Sequence, residues 1–167
     1  MKQIEYPDKS QWAEILKRPS LNVESLFDTV RAILDRVKTE GDRAVLAYEE
    51  QFDNVKLSAL AVTGEEMREA ETLISEELKN AIRLAKQNIE TFHAAQRFTS
   101  KRVETQPGVT CWQKAVPIER VGLYIPGGTA PLFSTVLMLA VPAKIAGCDK
   151  IVLCTPPGKD GKVHPAV

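Results

Sequence analysis

Residues 121–154 read VGLYIPGGTAPLFSTVLMLAVPAKIAGCDKIVLC, and this stretch decides the fold. Val121 to Ile125 is a short apolar run of the kind a buried parallel strand uses. Pro126-Gly127-Gly128 ends it, because proline supplies no ladder donor and paired glycines allow a backbone course closed to other residues. Thr129 is placed to cap a following helix, with Pro131 in its first turn, where a missing N–H does no harm. Leu132, Phe133, Val136, Leu137, Leu139, Ala140 and Val141 leave almost no polar face, so the helix is expected to be buried nearly all round. Gly147 is a natural stop. Ile151 to Cys154 is then a second buried strand, ended by Pro156-Pro157. Strand, helix and strand make one βαβ unit. Its crossover is right-handed, which puts the Pro-Gly-Gly turn at the carboxyl end of the first strand, the rim where open α/β sheets bind ligands.

Upstream of this unit, Val103 to Pro117 reads as extended chain. Pro107-Gly108 serves as a turn, and Val109, Cys111 and Trp112 suggest a β-hairpin. Before it, Thr63 and Glu66 have the spacing of a capping box. Met67, Ala70, Ile74, Leu78, Ala81, Ala85, Ile89 and Phe92 then predict one long helix reaching about Arg97. Nearer the start, Ser10 opens a short amphipathic helix with Trp12, Ile15 and Leu16. Asn22 caps a longer one whose stripe is Val23, Leu26, Val30, Ile33, Leu34 and Val37. Gly41-Asp42 breaks it before another short helix from Ala44 to Phe52, and residues 53–62 read as a loop. The chain thus divides near residue 100: a helical segment over 1–100, and the start of an α/β domain over 101–167. One βαβ unit supplies two parallel strands, and parallel sheets require cover on both faces. These residues are therefore expected to be the front portion of a longer protein, or to assemble with other chains.

Composition narrows the partners. Of 167 residues 44% are hydrophobic and 26% charged, as in an ordinary globular protein. Twenty-two basic residues balance twenty-two acidic ones, which gives no reason to expect nucleic acid as a partner. MKQIEYPDKS lacks the apolar core of a secretory signal. The apolar run from Ala130 to Ala143 falls short of the ~20 residues a membrane span needs and contains Pro142, so no membrane association is expected. Three cysteines without paired spacing suit a reducing compartment, the cytoplasm.

No complete catalytic constellation is visible. A helix N-terminus behind a Gly-Gly turn offers free N–H groups to an anion. Yet G-x-G-x-x-G is absent, and the second strand ends in Cys154-Thr155-Pro156 rather than in an acidic residue for a ribose. A plain structural turn and a phosphate-binding turn both stay open. Tyr124 either projects a ring at the sheet rim or is a core residue with its hydroxyl satisfied. Cys154 reads as small packing material, and Cys111 has no local partner. His93 and His164 stand far apart in sequence with no ligand spacing around them, so neither metal ligands nor catalytic residues are assigned.

Two stretches nevertheless carry a resemblance. ERVGLYIPGGTAPLFSTVLMLAVPAKIAGCDKIVLCTPP (119–157) closely resembles part of the histidinol dehydrogenase family, and VRAILDRVKTEGDRAVLAYEEQFDNV (30–55) resembles that family's N-terminal helical segment. The resemblance implies an α/β fold: a helical N-terminal segment followed by the first βαβ unit of an incomplete Rossmann-like domain. It implies oxidation of L-histidinol to L-histidine, through the aldehyde, by two hydride transfers to NAD. Zinc holds the substrate and a Glu-His pair handles protons. Tyr124 and Pro126 match positions lining the NAD site, and Gly127 and Gly128 form the adjacent turn. The zinc ligands, the Glu-His pair and the substrate residues belong to later parts of a much longer chain that forms homodimers. The chain alone is therefore expected to be inactive. A non-catalytic assembly module, or another dehydrogenase of aldehyde dehydrogenase-like layout, are the alternatives.

Overall fold

A computed structural model describes residues 3–18, 23–127 and 132–167. The expected caps at Asn22 and Thr129, the first-turn proline Pro131, and Gly128 lie outside the described residues. The chain forms two compact units, Met1–Ala44 and Val45–Val167.

In the first unit a single 3-10 turn, Lys9–Gln11, leads into α1, Trp12–Ile15. Asp8 caps this start in place of Ser10: its Oδ1 accepts from the Ser10 N–H at 2.9 Å and the Ser10 hydroxyl at 2.7 Å. Those bonds hold the Asp8 carboxyl below its ordinary range, the backbone one most. The predicted longer helix is α2, Glu24–Glu40, stopped at Gly41 with φ +60. Its stripe is amphipathic as expected, but Leu26, Phe27, Val30 and Leu34 remain exposed.

The second unit takes up the chain within α3, Asp42–Tyr48. One π turn, Glu49–Asp53, follows and stacks Tyr48 on Phe52, ring centroids 5.3 Å apart. This turn hides Glu49 Oε2 without a hydrogen-bond partner. Burial, with Asp53 adding to it, pushes the Glu49 carboxyl up. The single long helix of the sequence reading is two helices, α4 (Gly64–Leu73) and α5 (Glu76–Ala94). Ile74 is extended and Ser75 caps anew, its hydroxyl accepting from the Leu78 N–H at 3.2 Å. Restarting the helix there shifts its phase. Leu78, Ile82, Ala85 and Ile89 are the sheltered apolar positions of α5, while Ala81 and Phe92 are exposed. The Thr63–Glu66 capping box is present in both directions.

Among the described residues two sheets of two strands follow. The expected hairpin is β1 (Arg102–Gln106) paired antiparallel with β2 (Val109–Trp112), turning at Gly108 with φ +82. The expected βαβ unit is β3 (Arg120–Tyr124), α6 (Phe133–Ala146) and β4 (Lys150–Cys154), with β3 and β4 parallel and in register from Arg120↔Lys150 to Tyr124↔Cys154. Ile125 extends the ladder, donating to the Cys154 carbonyl at 2.9 Å. Gly147, φ +88, closes α6: the Cys148 N–H reaches back to the Ala143 carbonyl at 3.1 Å, satisfying an orphan acceptor. The helix runs through Pro142, forgoing the hydrogen bond that proline cannot donate.

Burial departs from expectation. α6 packs along α5 and touches β3, but it is not buried all round: Val141 alone is fully buried and Met138 is exposed. Along β3 and β4, exposure alternates. Val121, Leu123, Ile151 and Leu153 are half-buried, whereas Gly122, Tyr124, Val152 and Cys154 are open. A lone crossover helix covers one face of a sheet, so strands whose apolar run anticipates two covered faces expose one of them here. The core of this unit is correspondingly small, with Ile125 only 1% exposed, Val55 6% and Val141 8%.

Candidate functional site

Because β3 and β4 run parallel, the segments that follow them leave at one rim, and a cleft of about 340 Å³ opens there. Pro126 and Gly127 line it, together with Thr155, Pro156, Lys162 and His164. Gly127 is a glycine for want of space: a Cβ would stand 2.9 Å from Pro156 Cγ. Its φ is not positive, so the conformational argument made from sequence does not apply at this position. Tyr124 is one step back on the open face of β3. It does not line the cleft, and at 64% exposure it is not a core residue either. Cys154, across the ladder from it, is exposed rather than packing material. The structure therefore joins Pro126 and Gly127 in the cleft and sets Tyr124 beside it, while Gly128 lies outside the described residues.

The other wall is the segment after β4, to which the sequence alone assigns no role. From Gly158 to Lys162 the chain closes on itself: Gly158 N–H donates to the Lys162 carbonyl at 2.8 Å, and Gly161 N–H to the Gly158 carbonyl at 2.9 Å. The Lys162 N–H reaches Asp160 Oδ1 at 3.1 Å. Lys162 Nζ forms an ion pair with Glu69 Oε2 on α4 at 2.7 Å. That hydrogen bond and charge, with smaller contributions from Glu66 and Asp160, hold the ammonium above its ordinary range. His164 Nδ1 accepts from the Ala166 N–H at 3.2 Å. The neutral ring then carries its proton on Nε2. The sequence signals only that the residues directly after β4 lie beside Pro126 and Gly127, since parallel strands joined by one crossover end at the same rim; the closed turn beyond them carries no local signal.

Elsewhere, a cleft of about 420 Å³ lies between the ends of α5 and α6. Its polar groups are engaged structurally, His93 Nδ1 with Gln96 Oε1 at 3.0 Å and Arg97 with the Ile145 carbonyl at 3.3 Å. Among the described residues no group of three or more His, Cys, Asp or Glu side chains could hold a metal ion. No helix among them is long and apolar enough to cross a membrane. The rim can therefore shape and contact a ligand, and the donor set zinc requires is not found beside it.

These features define a class: a mixed helix-and-strand protein with a parallel βαβ unit and a ligand-sized cleft at its carboxyl rim. The sequence model of the histidinol dehydrogenase family matches residues 16–167. Over all 167 residues the chain is 73% identical to histidinol dehydrogenase of Bacteroides thetaiotaomicron, covering 39% of that protein. It is 54% identical over 148 residues, 88% of this chain, to the Escherichia coli K12 enzyme, covering 34% of that one. The crystal structure of histidinol dehydrogenase from Elizabethkingia anophelis superposes with a TM-score of 0.89 at 46% identity, over 96% of this chain and 37% of the other. The chain belongs to the histidinol dehydrogenase family. It spans between 34% and 39% of the length of these relatives.

Proposed function

We propose that the chain is the front portion of an NAD-dependent, zinc-assisted histidinol dehydrogenase that oxidises L-histidinol to L-histidine in the cytoplasm. The observation that carries this reading is the cleft at the rim of β3 and β4, with Pro126 and Gly127 in its lining, in a chain of this family. An exposed aromatic ring at Tyr124 and a glycine pressed against Pro156 suit a flat, extended ligand, and these residues would hold part of NAD. NAD supplies the hydride acceptor. In this reading Tyr124 packs against the dinucleotide, the Pro126–Gly127 backbone lets it approach closely, and Gly128 completes the turn. No residue of this chain acts on the reacting bond.

Among the described residues no donor set fits zinc, so in this reading the metal ligands, the proton-handling pair and the histidinol contacts are assigned to polypeptide beyond these residues. The βαβ unit is read as the opening of a Rossmann-like domain over 101–167, preceded by a helical segment over 1–100. The open face of β3 and β4 and the bare stripe of α2 support a homo-oligomeric, longer protein. The 167-residue chain alone should give no turnover, because a dinucleotide wall without metal or base leaves the transition state unsupported. Purified chain incubated with NAD, zinc and histidinol should show no rise in NADH absorbance, and steady turnover would overturn the assignment.

The exposed Leu26, Phe27, Val30 and Leu34 of α2 favour a second reading, a non-catalytic assembly module. Light scattering across concentrations tests it, since a monomer at every concentration removes the module.

A further inference from the structure

We infer that the Glu69–Lys162 ion pair is a positioning latch, fixing the turn that forms the second wall of the cleft and so tuning its grip on the dinucleotide. The inference rests on the reading of that cleft as the NAD site.

The Gly158–Lys162 turn is closed by its own hydrogen bonds, so it moves as one piece. Two contacts fix where that piece sits. Gly161, φ +77, brings its backbone against Leu57 and Val55; a Cβ there would lie 3.4 Å from Leu57 Cδ2 and 3.7 Å from Val55 Cγ1. Beside it, Lys162 reaches Glu69 across 93 residues of sequence. The connection from this turn back to β4 is Pro156-Pro157, whose φ angles are fixed by their rings. Displacement of the turn is therefore passed on to Pro156 rather than absorbed, and Pro156 stands against Gly127.

Lys162 itself is a poor phosphate ligand. Glu69 occupies its ammonium, and Glu66 and Asp160 add negative charge around it, so an incoming anion meets three carboxylates for one cation. Positioning, not direct contact, is the role its surroundings allow.

The test uses the full-length polypeptide carrying this chain. Glu69→Gln should raise the NAD Michaelis constant about two- to fivefold, the range open to a solvent-exposed pair, and leave kcat and the histidinol Michaelis constant unchanged. Amide exchange at Gly158–Lys162 in the ligand-free protein should quicken by a similar factor. Glu69→Asp, which keeps the charge outside the cleft lining, should recover most of the loss. An unchanged NAD constant in Glu69→Gln overturns the inference, whether or not exchange quickens. So does a raised constant without faster exchange, because the turn would then not be the link. Failure of the cleft reading itself would show separately, as an NAD constant left unchanged by Tyr124→Ala as well.

Discussion

The two sheets of the second unit each have two strands, yet they bury themselves very differently. In β1–β2 the turn is local, and every residue of both strands is exposed. In β3–β4 the strands are parallel, so the chain must leave the sheet and return, and the α6 crossover shelters alternate residues of both strands. Ladder hydrogen bonds are present in both pairs, so the difference lies in side-chain cover. Turn chemistry can start a hairpin, but two uncovered strands are marginal in water, and an element packed across a strand is what removes its apolar surface from solvent.

The largest expected effect breaks or upholds this contrast. Ile125→Ala empties the most buried large side chain of the βαβ unit and should cost about 2–5 kcal/mol in urea denaturation of the chain. Val103→Ala on the exposed hairpin should cost no more than about 0.5 kcal/mol. Equal costs would mean that the hairpin is as structurally committed as the parallel pair.

Two glycines of the βαβ unit sharpen the comparison at smaller scale. Gly127→Ala drives a Cβ to 2.9 Å from the Pro156 ring and should cost about 1–3 kcal/mol as overpacking. Gly122→Ala, with nothing within 4 Å of the added carbon, should fall within about 0.5 kcal/mol of the parent. Calorimetric melting points for both variants decide it, and a tolerated alanine at 127 would show that the two segments of the rim are not pressed together.

Smallest is a purely local device, the α4 capping box. Thr63→Ala should cost about 1 kcal/mol. Hydrogen bonds from the Thr63 N–H and hydroxyl hold the Glu66 carboxyl below its ordinary 4.5. A carboxyl with a lowered folded-state pKa contributes stability above about pH 4.5, lost as pH falls through the folded value. The Thr63→Ala and parent melting curves should therefore draw closer in acid, below pH 4.5, leaving only the gap from the Thr63 hydroxyl accepting the Glu66 N–H, and keep their full separation at pH 7. A gap that persists unchanged in acid would show that Glu66 takes no part in the cap.

How much of this was legible in the sequence follows the same division between local and tertiary causes. The capping box, the hairpin turn at Gly108 and the stop at Gly147 are each written in a few neighbouring residues, and each is where the residues put it. The break at Ile74-Ser75 was missed because the apolar spacing continues across it; only Ser75 as a cap signals it, and stripe periodicity outweighs one serine. Expected burial failed on β3, β4 and α6, because an apolar run states what a segment would bury against, and says nothing about whether the covering element lies within these residues. At the rim, Pro126 and Gly127 could be named from the resemblance. The facing turn, the Glu69–Lys162 pair and the spatial reason for Gly127 could not, since each depends on residues far apart in the chain.

The central claim, that the rim of β3 is built to receive the dinucleotide, is tested most directly at Tyr124. In the full-length polypeptide, Tyr124→Ala removes an exposed ring beside the cleft and should raise the NAD Michaelis constant about tenfold, the scale of one aromatic stacking contact, with histidinol affinity kept. An NAD constant equal to the parent's would contradict the claim.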